Sequence, residues 1–247
     1  MIALGVASTI ALGLLLSRWY RRPVYEGLIS GCSVGICGAS AALAVSSVLP
    51  QTKENERFTL LAVVGVTLMS TVAMVLYPLL AHAIGLSPAQ AGIFFGATIH
   101  DVAQVVAAGM MLADAGNTAA ADSATVVKLF RVMLLMPVVL LISVLVRSRD
   151  NAAISDQDDA PAVPLVPRFL LAFIICMLLA TSALVPAALT AVANSLSRVL
   201  LVVAIAAAGV KTNFEDLLKL GWVPLLMLVF ETVWIAAVAG VGLVLIT

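Results

Sequence analysis

Between residues 58 and 84 the chain carries no Asp, Glu, Lys or Arg, and it comes close to repeating this feat along its whole length. Apolar segments occupy residues 2–16, 25–49, 58–84, 88–113, 124–146, 168–185, 196–210 and 222–246, separated by short polar breaks. Runs of this kind belong in lipid, where each unpaired backbone N–H or C=O costs several kcal/mol, so only helices and closed barrels can cross. None of the segments alternates polar and apolar as a barrel strand must. The expected fold is all-α: a polytopic transmembrane bundle of about eight hydrophobic segments, some of them discontinuous glycine-rich helices.

Composition agrees. The 247 residues are 63% hydrophobic and 11% charged, with mean hydropathy +1.17, whereas soluble domains are about 25% charged. Thirteen Lys+Arg balance thirteen Asp+Glu, so there is no basic surface to attract nucleic acid. The chain has no basic stretch ahead of its first apolar run, so residues 2–16 read as a span, or part of one, and not as a cleaved leader. The whole chain, 1–247, reads as one transmembrane domain. The loop at 147–167, with Asp150, Asp156, Asp158 and Asp159 beside Pro161, Pro164 and Pro167, reads as a hydrophilic connector between helix groups.

Counting basic residues in alternate loops, with every segment taken as a full crossing, puts Arg18, Arg21, Arg22, Arg147, Arg149, Arg168, Lys211 and Lys219 on the cytoplasmic side. Lys53, Arg57 and Arg198 then fall on the other side, joined by Lys128 and Arg131 if those lie at the membrane edge. Cys32, Cys37 and Cys176 sit in apolar stretches without metal-ligand spacing, so neither a metal site nor a cofactor is expected.

Two segments depart from ordinary spans. In 25–49, Gly27, Gly31 and Gly35 recur every four residues, followed by Gly38, Ala39 and Ser40. Small residues four apart let helices pack closely; glycine this dense also permits a helix break that bares backbone amides and carbonyls to a substrate. The residues leave both readings open. In 88–113, Gly92, Gly96, His100 and Gln104 share one face, with Asp101 beside it and Thr98 close by. Ionisable groups at bilayer depth are costly and usually line a polar interior. His100 can change charge near neutral pH. Asp101 can fix its tautomer, carry a proton or ligate a cation, and Gln104 offers both donor and acceptor. A static polar network that only fixes packing is the plainer alternative.

Further along, Lys128 and Arg131 supply positive charge to an anion if they point inward, and are interfacial anchors if they do not. Pro137 should kink their helix. Glu231 stands alone in the last span. Lys211, Thr212 and Asn213 read as a helix end, and Tyr77, Pro78 and Trp222 as structural.

Three stretches carry a resemblance: Gly35-Ile-Cys-Gly-Ala-Ser40, Gly96-Ala-Thr-Ile-His-Asp-Val-Ala-Gln-Val-Val-Ala-Ala-Gly109, and Lys128-Leu-Phe-Arg131 through Pro137. They resemble the YeiH-type family of sulfate exporters, within the cation:proton antiporter and anion transporter superfamily, and the likeness covers essentially the whole chain. It implies a multi-pass protein of the bacterial inner membrane with inverted repeats and discontinuous helices. Two departures stand out. Asp101 replaces a glutamate typical of members, and the chain is expected to lack several N-terminal spans, as a fragment, an internal-start product or a minimal form.

The expectation is therefore a secondary transporter of a small anion, sulfate or a related sulfur oxyanion, coupled to protons or to Na⁺, with no enzymatic activity. Its site would comprise Thr98, His100, Asp101 and Gln104, the backbone around Gly35, Gly38 and Ser40, and Lys128 and Arg131. A channel or non-catalytic membrane subunit with the same polar core is the alternative. A homo-oligomer fits the close-packing glycines.

Overall fold

The protein is described by a computed structural model covering residues 1–112, 118–153 and 221–246, with scattered positions between 171 and 203. Among the described residues the elements are helical: α1 (Ile2–Trp19), α2 (Val24–Cys32), a π-helical turn (Ser33–Cys37), α3 (Ala39–Ser46), α4 (Lys53–Ile84), α5 (Pro88–Thr98), α6 (Val102–Met111), α7 (Ala119–Met133), α8 (Leu135–Ala153) and α9 (Val223–Ile246). Four stretches are long and apolar enough to cross a bilayer: Ile2–Trp19, Lys53–Ile84, Ala119–Val146 and Val223–Leu245. Most of the sixth and seventh apolar segments lies outside the described residues, as does most of the connector, although α8 continues through Ala153.

Local chemistry sets many of the boundaries. The Thr52 side chain accepts from the Asn55 amide at the start of α4, Glu54 and Glu56 occupy its first turn, and Gly85 ends it at φ 75°. These are the charges and the left-handed residue that helix ends favour. Ser87 and Gln90 form a reciprocal capping box at α5, with Pro88 in the first turn. The α7–α8 break falls at Leu134, three residues before Pro137. Pro137 lacks the N–H that would bond Met133 four residues back, and its ring crowds that carbonyl.

The second and fourth apolar segments are not crossings. Each is a helical hairpin that enters the bundle, turns at mid-depth and returns to the face it came from. In α5, ideal Cβ atoms at Gly92 and Gly96 would run into the Ala120 and Ala124 carbonyls of α7, while one at Gly109, near the end of α6, would lie 2.6 Å from the Ala121 Cα. The outer ends of α5 and α6 thus share one level, and the turn at Ile99–His100–Asp101 lies deeper. On α4, Ser46 at the end of α3 meets Thr59 near the helix start, the two hydroxyls 3.0 Å apart. Gly38, at the tip, would place a Cβ 3.6 Å from Val66. The buried side chains of α2, among them Ile29 and Cys32, pack in one cluster with Phe58 and Ala62 near that same start of α4.

Lengths agree with the geometry. At 1.5 Å per residue, half-helices of 8–11 residues reach about 12–16 Å, roughly half of a 30 Å hydrocarbon core. The two hairpins enter from opposite faces and meet near the middle of α4, one tip at Val66 and the other at Ser70.

This arrangement corrects two expectations. The four-residue stripe through Gly92, Gly96, His100 and Gln104 does not exist as one face, because the helix stops after Thr98 and restarts at Val102. Topology changes too. With segments two and four returning, Lys53 and Arg57 lie at the same end of the bundle as Arg18, Arg21, Arg22, Arg147 and Arg149. Among the described residues, the other end carries no Lys or Arg, while Arg168, Arg198, Lys211 and Lys219 of the count lie outside the described residues.

Candidate functional site at the meeting of two hairpin tips

Turning a helix in mid-membrane strands carbonyls at its C-terminal end. Both entering helices create this problem, and α7 supplies the solution. Lys128 Nζ donates to the Ile36 carbonyl at 2.8 Å and the Ile99 carbonyl at 2.9 Å. The Arg131 guanidinium donates to Val34 O at 2.9 Å, Gly35 O at 2.8 and 3.1 Å, Gly96 O at 3.1 Å and Ile99 O at 3.3 Å. Each cation therefore clamps both hairpins at once. Both are 0% exposed, and neither has a carboxylate within ion-pair distance among the described residues. The described ion pair, Arg22–Glu26 at 2.7 Å, lies at the basic end of the bundle. The inward reading of Lys128 and Arg131 holds, but their first partners are backbone.

The tips touch. Gly38 has φ 68° and ψ −125°, a conformation that L side chains resist, and a Cβ there would sit 3.3 Å from the His100 Cβ. His100 is buried and reaches across to α9, its Nε2 lying 3.2 Å from Thr232 Oγ1. The Thr232 hydroxyl donates its own proton to Leu228 O at 2.7 Å, so its oxygen accepts, which puts the imidazole proton on Nε2. His100 Nδ1 is then a buried lone pair without a partner among the described residues.

Asp101 caps α6. Its Oδ1 accepts from the Gln104 amide at 3.1 Å, and its own amide donates to Ser70 Oγ at 3.0 Å. Gln104 turns to α4, donating through Nε2 to Thr71 Oγ1 at 3.0 Å, and leaves Oε1 buried and unpaired. Thr98 is spent locally on the Phe94 carbonyl, at 2.6 Å. Ser40 donates to the Cys37 carbonyl at 3.2 Å and lies 2.9 Å from its sulfur. The residues singled out in the sequence thus lie near one centre, but they do not share one cavity wall. His100 faces α9, Asp101 and Gln104 face α4, and Lys128 and Arg131 face the carbonyls of both tips.

Sequence reading missed Ser70, Thr71, Ser30 and Thr232, polar residues scattered singly through apolar helices with no local signal. Glu231 finds Ser30, whose hydroxyl donates to its Oε1 at 2.8 Å. Among the described residues no His, Cys, Asp or Glu cluster could hold a metal ion.

Each tip contributes one helix C-terminus and one N-terminus, whose opposite partial charges of about half a unit offset each other. The formal charges at this depth are Lys128 and Arg131 against Asp101 and Glu231, so the net charge of the core turns on whether Glu231 is ionised. Lys128 uses two of its three N–H groups, and the first-turn amides of α3 and α6 begin at the tips.

A multi-pass helical membrane protein with two opposed re-entrant hairpins is thus defined by fold and site together. The chain belongs to the family described as conserved hypothetical protein 698, whose model matches residues 1–228. Similar chains include the UPF0324 membrane protein TauZ of Paracoccus denitrificans, 42% identical over 98% of this chain and 70% of its own length. A UPF0324 membrane protein of Chlorobaculum tepidum is 42% identical over 96% of this chain and 64% of its own length, and one of Rhizobium meliloti 39% identical over 98% and 68%. This chain therefore spans about two thirds of the length of these bacterial relatives. No solved structure matches it.

Proposed function

We propose that the protein is a secondary transporter of a small anion, sulfate or a related sulfur oxyanion, that binds where the two hairpin tips meet and performs no chemistry on its cargo. The observation that carries this reading is the pair of opposed hairpins clamped by Lys128 and Arg131, two buried cations at mid-depth. Non-helical backbone at membrane depth is tolerated where it is buried in protein or lines a cavity, and transporters place their sites at such breaks between repeats. Arg131, with its donors engaged, is a brace. Contact with the anion falls to the third N–H of Lys128, the first-turn amides of α3 and α6, and His100 when protonated.

One observation favours the rival reading, a channel or non-catalytic subunit with a static core: both cations are already satisfied by carbonyls in this conformation. Labelled sulfate flux in proteoliposomes decides between them, comparing the protein with His100→Ala and Thr232→Val. Loss of saturable flux from variants that elute and melt like the parent supports transport. Flux that is unchanged in both variants sinks the assignment of the tip site, and unsaturable flux points to a channel.

A further inference from the structure

Glu231 is unused by the site above, yet its position is the least comfortable in the molecule. It is 0% exposed, near the middle of a 24-residue apolar helix. Its Oε1 accepts from Ser30 Oγ at 2.8 Å, and Oε2 has no partner among the described residues. The carboxylate is accommodated at the glycine crossing of α1 and α2, where an ideal Cβ at Gly13 would lie 2.5 Å from the Gly27 carbonyl and 2.8 Å from Glu231 Oε1. Among the described residues no Lys, Arg or His lies within ion-pair distance of it. The elements packed on α9 are α1, α2, the π-turn, α4 and α5. Their charged or titratable groups are Arg18 on α1, Tyr25, Glu26 and Cys32 on α2, Cys37 in the π-turn, and Lys53, Glu54, Glu56, Arg57, Tyr77 and His82 on α4; α5 has none. None of these groups forms an ion pair with Glu231.

An ionised carboxylate without a counter-charge is expensive at this depth, by several kcal/mol or more. The next residue on α9, Thr232, holds His100. Two successive residues of one helix therefore engage the two hairpins, Glu231 through Ser30 on the first and Thr232 through His100 on the second. The charge state of Glu231 also sets the sign of the core, because an ionised Glu231 cancels the single positive charge left by Lys128, Arg131 and Asp101.

We propose that Glu231 is the proton-binding site of the transport cycle, and that proton and anion are carried together, in one direction. The proposal rests on the anion-transporter reading. A proton from water converts the carboxylate to the carboxylic acid, which keeps the core positive and able to hold an anion. Release of the anion lets the proton leave, and the ionised carboxylate then holds the Ser30 hydroxyl of α2 through a stronger, charge-assisted hydrogen bond. By linkage, an anion that binds better when Glu231 is protonated must also raise the protein's hold on that proton.

The test uses the protein in proteoliposomes and reads two signals. The first is the infrared C=O stretch of a protonated carboxyl, followed across pH in the parent, Glu231→Gln and Ser30→Ala. The band should vanish in Glu231→Gln and move to higher frequency in Ser30→Ala, where the carbonyl oxygen loses its donor. The second is the pH of the vesicle lumen, from a trapped dye, during sulfate flux down its gradient. The parent should move protons with sulfate, and Glu231→Gln should move sulfate without them. A band that survives Glu231→Gln, proton movement that survives it, or coupling to Na⁺ overturns the proposal. If Glu231→Gln does not fold, Ser30→Ala decides, and an unshifted band there overturns it. A parent with the band but no flux of sulfate or other oxyanions sinks the transporter reading, and with it the coupling, while leaving Glu231 as a proton site.

Discussion

Replacing Arg131 with methionine separates a brace from a ligand. The guanidinium makes five hydrogen bonds to four carbonyls, and one of these, Ile99 O, is shared with Lys128. Methionine has similar length and no donors, so Val34 O, Gly35 O and Gly96 O lose the side-chain donor that serves them. Stranded buried carbonyls cost about 1–3 kcal/mol each, which puts the loss at roughly 3–9 kcal/mol for three. Relief from burying a charge offsets part of this, so we expect about 3 kcal/mol, near the low end of the range. That corresponds to more than a hundredfold in the unfolding equilibrium at about 1.4 kcal/mol per decade. Reversible unfolding in mixed detergent micelles measures it. Arg131→Lys, which keeps the charge on a single nitrogen, should fall between parent and Arg131→Met. If Arg131→Met unfolds within about 0.5 kcal/mol of the parent, the range of ordinary surface changes, the hairpin tips do not depend on this clamp. If it also loses sulfate binding, Arg131 is a ligand and the brace reading is wrong.

Three further outcomes follow from the packing. Gly92→Ala should destabilise by about 1–3 kcal/mol because its Cβ collides with the Ala120 carbonyl on α7, whereas Gly240→Ala, with nothing within 4 Å, should be neutral or slightly stabilising; thermal unfolding of the pair in detergent checks this. Gly38→Ala places a side chain at φ 68° and against His100, and should cost about 1–3 kcal/mol of backbone strain together with sulfate flux, measured by the same unfolding and proteoliposome assays. Asp101→Ala removes the cap of α6, worth about 1 kcal/mol, while Asp101→Asn keeps a capping oxygen and should retain most of that stability; a loss in Asn equal to that in Ala would mean that the charge, and not the cap, is what matters.

Much of the helix content was legible in the sequence because its causes are local. Thr52, Ser87 with Gln90, and Gly85 mark ends by their own hydrogen-bonding and conformational preferences. Gly38 was legible as a possible break, because a glycine cluster weakens a helix wherever it occurs. His100, Asp101 and Gln104 were legible as costly residues. Their directions were not. On a continuous helix Gly96, His100 and Gln104 would share a face, and nothing between Gly96 and Gln104 departs from a helical pattern strongly enough to announce the turn at Ile99. The basic-residue count failed for the same reason, since one undetected hairpin reverses the sidedness of every later loop and a second restores it.

What the sequence determined by itself is the solvent and the secondary structure: apolar runs of this length must be helical in lipid, because only then are their backbone groups satisfied within the segment. What the tertiary structure alone decided is where two of those helices stop. Ending a helix inside the membrane strands carbonyls that must find donors, and here the donors come from α7, 29 residues away for Ile99 and Lys128, and 97 for Val34 and Arg131. A break whose stability depends on a side chain that distant leaves no mark within its own segment. It exists only once α7 has packed against both tips.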